Sequence, residues 1–197
     1  MRPLLVVKTG SKLPSLFERS GDYEDWIREG LDLQPEAVTV VRVYASETLP
    51  PPQGLAGVVV TGSSAMVSER EAWSERTAAW LATAVRAETP VLGICYGHQL
   101  LAHGLGGRVG MNPRGREIGS IDVEIEDAAH EDALFRGFEG PLRVQATHVE
   151  SVLEIPPGAR LLGSSAGDPH HAFAVGATAW GVQFHPEFDA ATVRHYI

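Results

Sequence analysis

The chain is poor in cysteine, in positive charge and in long apolar runs. Cys95 is the one cysteine among 197 residues, so no internal disulfide forms, and a reducing cytoplasm fits that usage. Lys and Arg number 16 against 25 Asp and Glu, a net charge of −9. No basic block is available to neutralise a row of phosphates, and nucleic acid is not expected as a direct partner. Apolar runs reach four or five residues before Gly, Pro or a charge interrupts them, whereas a bilayer span needs roughly 20. No membrane partner is expected, and the short run after Met1, Arg2 and Pro3 is not a signal peptide. Absent too is a G-x-x-x-x-G-K-[ST] pattern, which excludes activation of an acceptor through a P-loop.

What is present is an alternation of strand and helix patterns. Strands are expected over 4–8, 37–43, 57–61 and 90–94, with helices over 22–31, from a Ser68/Glu71 capping box onward, and directly after Cys95. Alternating strands and helices predict an α/β fold, a central mostly parallel sheet with helices on both faces. From Gly106 the pattern turns to glycine-rich turns and short strands, at 121–125, 142–146, 159–163, 172–175 and 179–184, predicting a small antiparallel extension. Asp189 reads as the cap of a last helix. Length and the absence of a linker favour one domain over 1–197. The chain ends at Ile197 inside a helical pattern, so the natural protein is expected to continue.

Cys95 stands in Gly93-Ile94-Cys95-Tyr96-Gly97, between a buried strand and a helix. A lone cysteine is often a small buried hydrophobe. Glycines at i−2 and i+2, however, suit the sharp strand-to-helix turn that exposes a nucleophile at the C-terminal edge of a parallel sheet. The N-terminus of the following helix stabilises a thiolate there. A tight turn chosen only for packing is the competing explanation. The base that such a nucleophile needs is sought among eight histidines. His103 and His130 read as surface positions and His195 as a terminal helix residue. His185 ends an apolar strand, and Glu187 two residues on lies on the same side of an extended chain, placed to orient the imidazole. Pro186 stiffens the pair.

The stretches GICYGHQLLA (93–102) and GVQFHPE (181–187) resemble the two signature motifs of class I glutamine amidotransferases. Likeness extends to GDYEDW (21–26), TGSS (61–64), REIG (116–119) and the Ala172-Phe173 pair, which are similar to the branch containing the amidotransferase domain of GMP synthase, a branch that includes stand-alone proteins. The resemblance implies a flavodoxin-like amidotransferase fold and a Cys95–His185–Glu187 triad acting on the side-chain amide of glutamine through a thioester. It also implies an oxyanion hole from the backbone N–H groups of Tyr96 and Ser63, with Gly62 allowing close approach. Gln99, His148, Val149 and Glu150 are implied substrate contacts, and the ammonia released is implied to pass to a synthase on a separate chain. Two departures stand out. Glu150 occupies a position where an Asp often meets the substrate ammonium, which also suits another γ-glutamyl compound, and His171 stands where related sequences often carry Gln. The competing functions are a γ-glutamyl hydrolase with the same triad and an inactive interaction subunit. His170 and His171 are adjacent, but no second ligand pair stands at metal-site spacing, so neither metal nor cofactor is expected.

Overall fold

A computed structural model describes residues 2–16 and 21–197. Valine-rich runs build the first half of the sheet, since β-branched side chains fit a pleated surface buried on both sides. β1 (Leu4–Lys8) lies between β2 (Val38–Arg42) and β3 (Gly57–Val60), and β4 (Val91–Ile94) follows β3, all in parallel. The helices between and after them are α1 (Tyr23–Gly30), α2 (Ala72–Arg86) and α3 (Tyr96–Gly104). Strand alternation assigns the faces. Leu5, Val7, Val58 and Val60 share one core with Leu81 of α2 and Leu100 and Leu101 of α3, while Val6, Val59 and Ile94 share the opposite core with Ile27 of α1 and with Phe135. Helices therefore cover both faces, as expected for an α/β fold.

The second half contains β5 (Arg108–Met111), β6 (Glu117–Ile125), β7 (Leu142–His148), β8 (Glu150–Glu154), β9 (Arg160–Ser164), β10 (Ala172–Val175) and β11 (Ala179–Val182). Among the described residues the order of the nine-stranded sheet is β2-β1-β3-β4-β11-β10-β9-β6-β7. β11 runs parallel to β4, with Val182 opposite Ile94, and every later pairing is antiparallel. β5 and β8 form a separate antiparallel pair. Asp189 does cap the last helix, α4 (Ala190–Arg194), its carboxylate accepting from the Thr192 N–H. No helix among the described residues is long and apolar enough to cross a membrane.

Three expectations are corrected. Ser68 and Glu71 do not form a capping box: Ser68 lies in a 3-10 turn (Val67–Glu69), Arg70 turns the chain with φ +51°, and α2 begins at Ala72 without a side-chain cap. The turn is held instead by Glu150, whose Oε2 accepts from the N–H groups of Val67 (2.8 Å) and Ser68 (3.4 Å). β5 and β8 were not expected, because their mixed polar sequences carry no clear period. β11 stops at Val182, short of Phe184.

Candidate active site

Because β4 and β11 are parallel neighbours, the segments leaving them emerge at the same sheet edge, Cys95 directly after β4 and His185 three residues after the end of β11. The Cys95 N–H donates to the Val182 carbonyl at 2.9 Å. Cys95 itself has φ +51° and ψ −103°, a strained conformation for a residue with a side chain. The flanking glycines make that turn possible. A Cβ on Gly93 would run into the Gly97 carbonyl, and one on Gly97 would sit 2.5 Å from the Val60 oxygen. Although Cys95 is only 6% exposed, it is not sealed: it borders a cavity of ≈ 260 Å³ together with His185. Its sulfur lies 3.8 Å from the Thr147 carbonyl.

His185 Nδ1 and Glu187 Oε1 are 2.7 Å apart. A turn after the strand makes this contact, not the continued extended chain that the spacing suggested. Phe188 stacks on the imidazole, with centroids 4.0 Å apart and planes 10° from parallel. Burial alone would push the ring down, but the Glu187 carboxylate and the adjacent Cys95 sulfur outweigh it and raise His185 to about 10. His98 shows the opposite outcome. Equally buried, with no carboxylate among the described residues beside it to offset burial and only other histidines as titratable neighbours, it is pushed down to about 3.

The loop after β3 closes one side. Thr9 anchors it, its hydroxyl lying 2.9 Å from the Thr61 carbonyl and 3.0 Å from the Gly62 carbonyl. Gly62 abuts the other two segments: a Cβ there would come within 2.8 Å of His185 Cε1 and 3.7 Å of Cys95 Cβ. Ser63 lines the cavity and its hydroxyl accepts from the Ala65 N–H. The Tyr96 side chain points away into the core, its hydroxyl donating to Ser74 at 2.7 Å, so at the elbow the tyrosine presents only its backbone. Gln99 faces the cavity, yet its amide nitrogen is committed to the Glu150 carbonyl (2.8 Å) and Gln183 Oε1 (3.0 Å). Val149 lines the cavity as well. His148 Nδ1 lies 2.9 Å from the Glu150 carbonyl oxygen. Glu150 is 1% exposed; its Oε1, unlike Oε2, has no hydrogen-bond partner among the described residues.

Sequence reasoning singled out neither Arg116 nor the aromatic wall. Arg116, inside the REIG stretch, reaches the cavity and donates to Thr147 Oγ1 (3.3 Å) and the Tyr196 carbonyl (3.1 Å), with no ion pair among the described residues. Tyr23 and Tyr196 line the cavity with their hydroxyls 2.9 Å apart. The 21–26 stretch carried a usable signal, because its Tyr23 and Trp26 pack on Phe188 beneath the histidine.

A nucleophile candidate and an imidazole paired with a carboxylate at one cavity suit acyl transfer from an amide. Comparison with known proteins agrees. The family model described as "Glutamine amidotransferase class-I" matches residues 21–197. The glutamine-hydrolysing GMP synthase of Aeropyrum pernix is 36% identical over 193 residues, 98% of this chain, which spans 33% of that relative's length. One of the subunits of the glutamine-hydrolysing GMP synthase of Thermococcus kodakarensis is 43% identical over 99 residues, half of each chain. The crystal structure of a glutamine amidotransferase from Thermotoga maritima superposes with a TM-score of 0.79 at 25% identity, covering all of this chain and 81% of the other. The chain is an enzyme domain that belongs to the class I glutamine amidotransferase family.

Proposed function

We propose that this chain hydrolyses the side-chain amide of glutamine through a thioester on Cys95. The observation that carries this reading is the meeting of Cys95 with the His185–Glu187 pair at the wall of one cavity. The Cys95 sulfur attacks the amide carbon, and the backbone N–H groups of Ser63 and Tyr96 hold the resulting oxyanion. His185 gives its proton to the departing ammonia, then takes one from the water that releases glutamate. Glu187 keeps the ring aligned. The unpartnered Oε1 of Glu150 and the guanidinium of Arg116 match the two charged α-groups of a free amino acid, and the Gln99 side-chain oxygen is left to meet substrate.

On this reading residues 1–197 act as one domain in the cytoplasm and supply ammonia to a synthase on a separate chain. The name of the Thermococcus relative, one of the subunits of a glutamine-hydrolysing GMP synthase, supports that division of labour. The test compares glutamate and ammonia release from glutamine and from γ-glutamyl peptides. Glutamine turnover that falls by about 10³-fold or more in Cys95→Ala is expected. Slow glutamine cleavage beside fast peptide cleavage would make the chain a γ-glutamyl hydrolase instead. A folded protein that turns over neither is an inactive interaction subunit, and the proposal fails.

A further inference from the structure

Behind the cavity wall, three elements bring together side chains that the proposed reaction does not use as a set. Glu117 starts β6, His148 ends β7, and His171 precedes β10. Both imidazole Nε2 atoms lie 2.9 Å from the same oxygen, Glu117 Oε2, and the three donor atoms all lie within 4.8 Å of one another. The two histidine side chains are essentially inaccessible, at 1% and 0%, and that of Glu117 is 11% exposed. No sequence spacing announced this cluster, because the donors come from distant parts of the chain; the pairing of β6 with β7, Glu117 opposite His148, creates it.

We propose that Glu117, His148 and His171 bind one divalent transition-metal ion, with Zn²⁺ the best match to two imidazoles and a carboxylate. Hydrogen-bond accounting supports this. His148 Nδ1 faces the Glu150 carbonyl, which only accepts, so that nitrogen carries the proton. In the neutral ring Nε2 is then a lone pair pointing at a carboxylate oxygen, two acceptors face to face. A cation between them resolves the mismatch, and the Nδ1–H to carbonyl bond is the outer contact that metal-bound histidines ordinarily make. His171 Nδ1 has no hydrogen-bond partner among the described residues, so no bond at that nitrogen opposes the tautomer that turns the Nε2 lone pair towards a cation in place of its present Nε2–H contact with Glu117. The other carboxylate oxygen of Glu117 is held at 2.7 Å by the Ser165 hydroxyl, and Gly167 packs where a Cβ would strike that carboxylate. Donors on tetrahedral zinc stand about 3.3 Å apart, so the widest pair, at most 4.8 Å, has to close by no more than about 1.5 Å. The ion would tie β6, β7 and the 165–171 loop into one wall of the cavity. The site does not depend on the glutamine reading, since Cys95 is not a ligand.

The test is titration of chelator-stripped full chain with Zn²⁺ by calorimetry, and with Co²⁺ followed by absorption, in the wild type, His171→Gln, Glu117→Gln and Cys95→Ser. One ion per chain is expected in the wild type and in Cys95→Ser, with a Co²⁺ spectrum lacking a sulfur charge-transfer band and a Zn²⁺-dependent rise in melting temperature. Binding should weaken about 100-fold or more in His171→Gln and Glu117→Gln. Should those variants fail to fold, the wild-type and Cys95→Ser spectra decide. Absence of stoichiometric uptake by the wild type, uptake undiminished in a folded His171→Gln, or a sulfur band lost in Cys95→Ser would each overturn the proposal.

Discussion

At the residue scale, the charge on His185 organises the site. In the unfolded chain the imidazole titrates at its ordinary 6.5, and in the folded chain it is held at about 10 against the effect of burial by Glu187 and Cys95. A raised value means that the folded state binds the proton more tightly. The pair's stabilisation is therefore complete below about pH 6.5 and is lost as pH rises towards about 10. Urea midpoints measured across that window should fall in the wild type and fall less in Glu187→Gln, where the main source of the elevation is gone; equal slopes would contradict the assignment. Glu150 gives a second prediction. Its Oε2 is used by two backbone N–H groups while Oε1 is buried and unpartnered, so Glu150→Gln should raise KM for glutamine by roughly 10- to 100-fold with a smaller effect on kcat. Steady-state kinetics distinguish this from a loss confined to kcat.

At the scale of elements, the elbow and the loop after β3 depend on glycines placed against backbone or the His185 ring. Gly97→Ala forces a Cβ against the Val60 carbonyl where α3 sits on the sheet, and should cost about 1–3 kcal/mol in chemical denaturation. Gly62→Ala sets a Cβ against the His185 ring; displacing that ring should lower kcat by about 100-fold. These glycines were legible in the sequence, since a buried strand, two glycines and a helix leave few ways to turn. The start of α2 was not. Ser68 and Glu71 have the local form of a capping box, but the Glu150 carboxylate, more than 80 residues away, captures the Val67 and Ser68 N–H groups, and no local pattern reports such a contact. β5 and β8 were illegible for a related reason. Each finds its partner only across the chain, with Met111 opposite Glu150, and neither alternates apolar and polar residues strongly enough to be read alone.

At the scale of the whole molecule, the parallel half of the sheet delivers Cys95, the 61–64 loop and His185 to one edge, and the facing wall comes from Arg116 and Thr147 of the antiparallel half together with Glu150 of the separate β5–β8 pair. The motif pairs within each segment were readable from sequence; Arg116 as part of the cavity, and the Glu117–His148–His171 cluster behind it, required the pairing of β6 with β7. A sheet shared by both halves predicts a single unfolding transition by calorimetry, with calorimetric and van't Hoff enthalpies equal, and two resolved transitions would contradict one domain. The central claim, that Cys95 attacks glutamine at this edge, is tested most directly by exposing the protein to a glutamine-like diazo ketone and locating the label by mass spectrometry. One adduct is predicted, on Cys95, suppressed by excess glutamine and absent from Cys95→Ala. A folded protein that stays unlabelled, or carries its label elsewhere, would contradict the account.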